Sequence, residues 1–166
     1  MDKEEVNEMI QDWKKLSIKK NLRGKKALEA VERSAWALQY VWEQTPQICL
    51  EAVKMNGDAL QYVREQTPEI CLTAVQRDGL ALIYVKRQTP KVCLEAVEQN
   101  GWALEFVREQ TPEICLEAVK QDGYTLKFVK RQTVEICLGA VRENKGALQF
   151  VEPQIIEALQ MELDKR

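Results

Sequence analysis

The sequence predicts an all-α fold, in the form of an α-solenoid of stacked helix-turn-helix repeats. Three observations predict it. First, a 22-residue unit recurs along the chain and is complete from residue 79 to 100, a period typical of repeat arrays. Second, the predicted helical segments within each unit are only roughly 8 to 10 residues long, too short to be stable alone, so stability must come from stacking. Third, landmark residues keep one frame at this period, namely Thr45, Thr67, Thr89, Thr111, Thr133, Cys49, Cys71, Cys93, Cys115 and Cys137.

About seven units fill the chain, which we interpret as a single repeat domain over residues 1–166. Residues 1–34 hold a predicted N-terminal helix, with apolar residues at three- and four-residue steps, and a degenerate cap unit. Residues 35–144 hold five regular repeats, and residues 145–166 form a C-terminal cap unit. Atypical terminal units are expected in a solenoid, because they cover the ends of the shared core.

Two helices are predicted within each unit. Thr67 is a good N-cap and Pro68 fits the first helical position, which indicates a helix from about 68 to 78. Gly79 is expected to end that helix through a left-handed turn. A second helix follows and stops before the next Thr-Pro pair, because the residue before proline resists helical geometry. We therefore expect about fourteen short helices and the opening one, stacked with a right-handed twist.

The repeat itself resembles a known family. The string N-G-W-A-L-E-F-V at 100–107, followed by Q-T-P-E-I-C-L at 110–116, is similar to a family of short tandem repeats found mainly in bacteria and catalogued as a domain of unknown function. The resemblance covers about 27–152. The sequence departs from the pattern at Val134, where proline is expected, and at Lys145 and Gly146, where glycine comes first. The resemblance implies tandem helical repeats and no known activity.

Composition favours a soluble cytoplasmic protein. Apolar residues make up 45% and charged residues 30% of the chain, which is too apolar for disorder and too charged for a membrane protein. No stretch approaches the ~20 apolar residues of a transmembrane helix. The five cysteines are evenly spaced, unlike a disulfide framework. We interpret them as buried free thiols in a reducing compartment.

The residues for catalysis are missing, and we predict a non-enzymatic protein without cofactor or metal. The chain has no histidine, so it offers neither a Cys-His pair nor a Ser-His-Asp triad. Metal binding would also need several ligands in one place. The segment from Arg23 to Lys26 contains one glycine but lacks the first glycine and the Ser or Thr of a phosphate-binding loop.

Two columns, each taking one residue per unit, are interpreted as structural. The glutamine before each threonine cap is expected to satisfy backbone groups at the turn, although a polar recognition row is the alternative. The tyrosine or phenylalanine before each valine is expected in the core, because the two residues replace one another freely. The glutamines are Gln44, Gln66, Gln88, Gln110 and Gln132, and the aromatic residues are Tyr40, Tyr62, Tyr84, Phe106, Phe128 and Phe150.

A third column is variable and partly aromatic. We expect that no structural requirement determines which residue types occupy it. It reads Trp36, Asp58, Leu80, Trp102, Tyr124 and Gly146, with Gln61, Ile83, Glu105 and Lys127 one turn further on. Solenoids bind partners on such continuous faces, and aromatic anchors carry most of the energy. Packing by loops or caps and incidental exposure are the alternatives. The predicted contact residues are Trp36, Leu80, Ile83, Trp102 and Tyr124. Their expected partner is a protein or peptide, which includes a second copy of this chain.

Basic residues suggest an alternative function, the binding of nucleic acid or another polyanion. One group lies in the segment 14–26, and the other forms a column with one cation per unit. A solvated cap surface and cations at helix C-termini are the competing interpretations. Without interleaved aromatic residues the segment 14–26 has no stacking platform. The residues are Lys14, Lys15, Lys19, Lys20, Arg23, Lys25 and Lys26 in the segment, and Arg64, Lys86, Arg108 and Lys130 in the column.

Overall fold

The computed structural model describes residues 22–164, in which α-helices alternate with 3₁₀-helices, here labelled η. The predicted opening helix and the cations Lys14, Lys15, Lys19 and Lys20 lie outside these residues. The elements are α1 (Gly24–Arg33), η1 (Ala35–Tyr40), α2 (Pro46–Met55), η2 (Gly57–Tyr62), α3 (Pro68–Arg77), η3 (Gly79–Tyr84), α4 (Pro90–Gln99), η4 (Gly101–Phe106), α5 (Pro112–Gln121), η5 (Gly123–Phe128), α6 (Val134–Glu143), η6 (Lys145–Phe150) and α7 (Pro153–Asp164).

The fold is an all-α solenoid, in which each layer packs on its neighbours through both of its helices. Each α-helix from α2 to α6 begins at a threonine cap, as predicted. In α3 the hydroxyl oxygen of Thr67 accepts a hydrogen bond from the backbone N–H of Ile70 at 3.3 Å, and Pro68 follows at the first position. Thr133 makes the same bond to Ile136. Val134 therefore replaces the expected proline without loss of the helix start.

The second helix of each unit is a six-residue 3₁₀-helix, a detail that the sequence did not indicate. In η3 the carboxylate of Asp78 accepts from Leu80 N at 2.9 Å, which fixes the start. Val85 N donates to Leu82 O at 3.1 Å, three residues back, and Val85 itself is extended. Tight 3₁₀ geometry suits an element of this length between two extended residues.

The predicted role of Gly79 is wrong. Among the described residues only Gly24 has a left-handed φ, of 50°, and α3 ends through the extended residue Asp78. Gly79 instead permits a close approach, because a Cβ there would lie 2.3 Å from the carbonyl oxygen of Ala96 in the next layer. Gly57, Gly101 and Gly123 face the corresponding carbonyl in the layer after theirs. These glycines set how closely consecutive layers stack.

One hydrophobic core runs through the layers from Ala27 to Leu159. Each regular layer contributes an apolar face from its α-helix and a second from its 3₁₀-helix. The aromatic column is half-buried, and its members from Tyr62 to Phe150 pack against this core, as expected. Because consecutive layers share the core, each depends on its neighbours for burial. In one layer the buried hydrophobic residues are Ile70, Cys71, Ala74, Val75, Ala81, Leu82 and Val85.

Candidate interaction surfaces

The glutamine column joins each layer to the next. Gln66 Nε2 donates to Tyr84 O at 2.9 Å, and its Oε1 accepts from Lys86 N at 2.9 Å. Both ends of the amide are therefore used by backbone groups of the following layer, which confirms the structural interpretation of this column. The same pair of bonds is made by Gln44, Gln88, Gln110 and Gln132.

The cation column is tied to backbone as well. Lys86 Nζ donates to Val63 O at 3.1 Å and to Arg64 O at 2.9 Å, both at the C-terminal end of the 3₁₀-helix in the preceding layer. Arg64, Arg108 and Lys130 reach the equivalent carbonyls. A cation is favourable at the negative end of a helix. Each cation therefore lies at the negative end of a helix, as expected, but that helix belongs to the preceding layer.

The five cysteines are buried free thiols. Burial raises the pKa of each thiol, and the nearby cation of the column lowers it only partly at the first four. At Cys137 burial is joined by the negative charge of Glu152, and the pKa rises to about 11. A protonated, buried thiol is a poor nucleophile. Within residues 22–164, no group of cysteine, aspartate and glutamate side chains could hold a metal ion.

The variable column lies along one edge of the stacked 3₁₀-helices. With three residues per turn, side chains at positions i and i+3 eclipse, so Leu80 and Ile83 share one line across η3. Leu80 is 38% exposed and Ile83 is 50% exposed, and Trp102 of the next layer is 37% exposed. Trp36 is likewise exposed, whereas Tyr124 is half-buried. The structure therefore brings the five predicted contact residues to one surface, here called the variable face.

The aromatic members of this face also have structural contacts, so the expectation that nothing selects the mixture is wrong there. Trp102 meets Phe128 of the next layer edge-to-face, with ring centroids 5.6 Å apart, and its indole N–H donates to an Asp122 carboxylate oxygen at 3.0 Å. Trp36 and Tyr124 make the same kind of ring contact, with Tyr62 and Phe150. Leu80 and Ile83 are therefore the two residues of this face whose main feature is the exposure of their side chains to solvent.

Gly146, the last member of the variable column, has a structural explanation too. A Cβ at Gly146 would lie 2.5 Å from the hydroxyl oxygen of Tyr124. The small residue therefore makes room for the tyrosine of the preceding layer. The signal in the sequence was that glycine stands at 146 instead of 145. Its structural reason depends on the side chain of Tyr124, 22 residues earlier.

Trp42 is an exposed aromatic residue that the sequence analysis did not predict to be part of a surface site. It is 57% exposed, and the Arg23 guanidinium lies 5.7 Å from its ring centroid. Its backbone N–H donates to Leu22 O at 2.9 Å. The available signal was that Trp42 occupies the cation column in the first regular unit, where every later unit up to 130 has Arg or Lys.

The described part of the basic segment is solvated. Arg23, Lys25 and Lys26 are exposed, and Lys25 pairs with Glu29 at 3.6 Å. Exposed pairs of this kind contribute little to stability. The helices of residues 22–164 include none with the length and apolar character needed to span a bilayer.

Comparison with known protein families found a match. The family model described as Domain of unknown function (DUF4116) matches residues 26–66, 67–110 and 111–156. Each matched segment spans close to two of the 22-residue units. No curated protein and no solved structure matches the chain.

Proposed function

Because the chain belongs to the family described as Domain of unknown function (DUF4116), we propose a function from its surface: it is a non-enzymatic scaffold that binds a protein or peptide on the variable face. The observation that carries the proposal is the exposure of Leu80 and Ile83 on one line of η3, beside Trp102. Complete burial of an apolar side chain of this size contributes about 1.5 to 3 kcal/mol, and because Leu80 and Ile83 are 38% and 50% exposed, a partner that covers the rest gains roughly 1 kcal/mol at each. The partner chemistry that fits is a short apolar or aromatic segment.

The chemistry of the chain supports a binding role over catalysis. It has no histidine, and its thiols are buried and have raised pKa values. Such thiols also fit a reducing compartment, so we place the protein in the cytoplasm. Polyanion binding, the alternative, has less support. The head groups of Arg64, Lys86, Arg108 and Lys130 already donate to backbone carbonyls.

The test is selection of peptides from a phage-displayed library of random 12-residue sequences on the immobilised chain. Enriched peptides are then synthesised and their affinities measured by calorimetry. We expect apolar and aromatic residues to dominate the enriched peptides. Their affinity should fall at least about tenfold for the double variant Leu80→Asp/Ile83→Asp, because charges would replace the buried contact.

The matched control is Met161→Asp/Leu163→Asp, which also replaces two exposed apolar residues by charges. Both residues lie in α7, outside the 3₁₀-helices that carry the variable face. The control should bind the peptides as tightly as the unaltered chain. Peptides that bind the Leu80→Asp/Ile83→Asp variant undiminished, or no enrichment over the bare support, would overturn the proposal.

A further inference from the structure

Four pockets form a row on a different surface, between the N-termini of neighbouring α-helices from α2 to α6. Equivalent residues of successive layers line each pocket, with the exposed proline at the start of an α-helix on one wall. We call this row the turn groove. It shares no residue with the variable face. Its two largest pockets have volumes of about 550 and 430 Å³.

The rim of the turn groove carries a charge column that follows the cation column by one residue. From residue 65 onward it reads Glu65, Arg87, Glu109 and Arg131, so its sign alternates over these four layers. Arg87 lines the 550 Å³ pocket, whose lining also includes Glu65, and Arg131 lines the 430 Å³ pocket, whose lining has no acidic residue. Within residues 22–164, neither guanidinium has a hydrogen bond or an ion pair, and both are exposed. These two cations, unlike Lys86 and Lys130 beside them, are free to meet a ligand.

The spacing of the two arginines suits an extended chain. They lie two layers apart, and layers at helix packing distance are roughly 8 to 10 Å apart, which gives roughly 16 to 20 Å. An extended peptide rises about 3.3 Å per residue. Acidic side chains about five or six residues apart on such a peptide would therefore reach both arginines.

The alternating sign favours a peptide over a nucleic acid. A uniformly charged polyanion would meet Glu65 and Glu109 in every second layer, at a repulsive cost. A peptide can place neutral or basic side chains at those layers. The proline rings of Pro68 and Pro112, which line the same two pockets, add apolar contact for such a chain.

We propose that the turn groove binds an extended peptide that carries two acidic clusters about five or six residues apart, one at Arg87 and one at Arg131. This site is independent of the variable face. The groove therefore gives the scaffold a second partner class, recognised by charge spacing rather than by apolar burial.

The test is fluorescence anisotropy with a labelled 12-residue Gly-Ser peptide that carries two Glu-Glu pairs six residues apart. A second peptide of the same composition places all four glutamates together. At ~50 mM salt, where screening is weak, we expect the spaced peptide to bind at least about fivefold more tightly, since it engages both layers at once. The variant Arg87→Glu/Arg131→Glu should lose at least about tenfold in affinity for it.

The matched control is Lys25→Glu/Lys26→Glu, which changes the net charge equally at exposed residues outside the groove. It should change the affinity less than about twofold. The variant Leu80→Asp/Ile83→Asp should also retain the acidic peptide, so that failure of one surface is distinguished from failure of the other. Equal binding of the two peptides, or undiminished binding to the Arg87→Glu/Arg131→Glu variant, would overturn the proposal. So would tighter binding of a dT12 oligonucleotide than of the spaced peptide.

Discussion

The interior layers and the last layer of the array use the same sequence positions differently. Leu82 in η3 has no exposed surface, whereas Leu148 at the same position of η6 is 50% exposed. Gly79 faces the carbonyl of the next layer, and Lys145 stands at the equivalent place. Gln88 bonds two backbone groups of the following layer, whereas Gln154 is exposed and bonds the Glu152 carboxylate.

The difference teaches what the repeated residues are for. In the interior layers the usual residue occupies each of these positions and contacts the next layer. In the last layer, where no regular layer follows, either the residue or its contact is different. The repeated glycine, leucine and glutamine therefore serve the contact between layers, rather than the helix or turn in which they lie. Variants at positions that contact the next layer should then cost far more than matched variants at positions that do not.

The largest difference is expected for leucine. Leu82→Ala should lower the free energy of unfolding by about 2 to 5 kcal/mol, because it leaves a cavity between buried layers. Leu148→Ala should cost less than about 1 kcal/mol, since half of that side chain is already exposed. Urea denaturation followed by circular dichroism measures both. Equal costs would mean that each unit buries its leucine by itself.

Glycine to alanine changes should differ in sign. Gly79→Ala should cost about 1 to 3 kcal/mol, because its Cβ would lie 2.3 Å from the Ala96 carbonyl oxygen. Gly139→Ala in the middle of α6 meets nothing closer than 3.5 Å and should stabilise by about 0.5 to 1 kcal/mol through helix propensity. Thermal unfolding of the two variants checks this. A stabilising Gly79→Ala would refute the close-approach explanation.

The glutamine pair is expected to show a smaller difference. Gln88→Leu should cost about 1 to 3 kcal/mol, because Phe106 O and Arg108 N lose their partners. Gln154→Leu, at an exposed residue, should stay within about 0.5 kcal/mol of the unaltered chain. Urea midpoints of the two variants provide the comparison. Similar midpoints would show that the amide bridge is not a source of interlayer stability.

Much of the fold followed from the sequence, because its signals are local. A threonine cap acts on a backbone N–H three residues away, so Thr67 and Pro68 marked the start of α3 correctly. The periodic apolar residues likewise predicted the shared core. The 3₁₀ form of η3 was not predictable in this way, since its apolar pattern fits an α-helix equally well.

Features that depend on the next layer could not be predicted from local rules. The role of Gly79 requires the position of Ala96 O, and the role of Lys86 requires the carbonyls of the preceding layer. The same limit applied to the surfaces. Trp102 looked free in the sequence, but its ring and indole N–H contact Phe128 and Asp122. The free cations Arg87 and Arg131 were overlooked in favour of their bonded neighbours.

The most direct test of the interlayer account is the urea unfolding of the variant Lys145→Gly, which restores the usual glycine in the last layer. If glycine serves its own turn, this change should stabilise the protein. The account predicts no gain and a loss of about 0.5 to 1 kcal/mol, because glycine adds only chain entropy where no further regular layer approaches. A higher urea midpoint for Lys145→Gly than for the unaltered chain would contradict it.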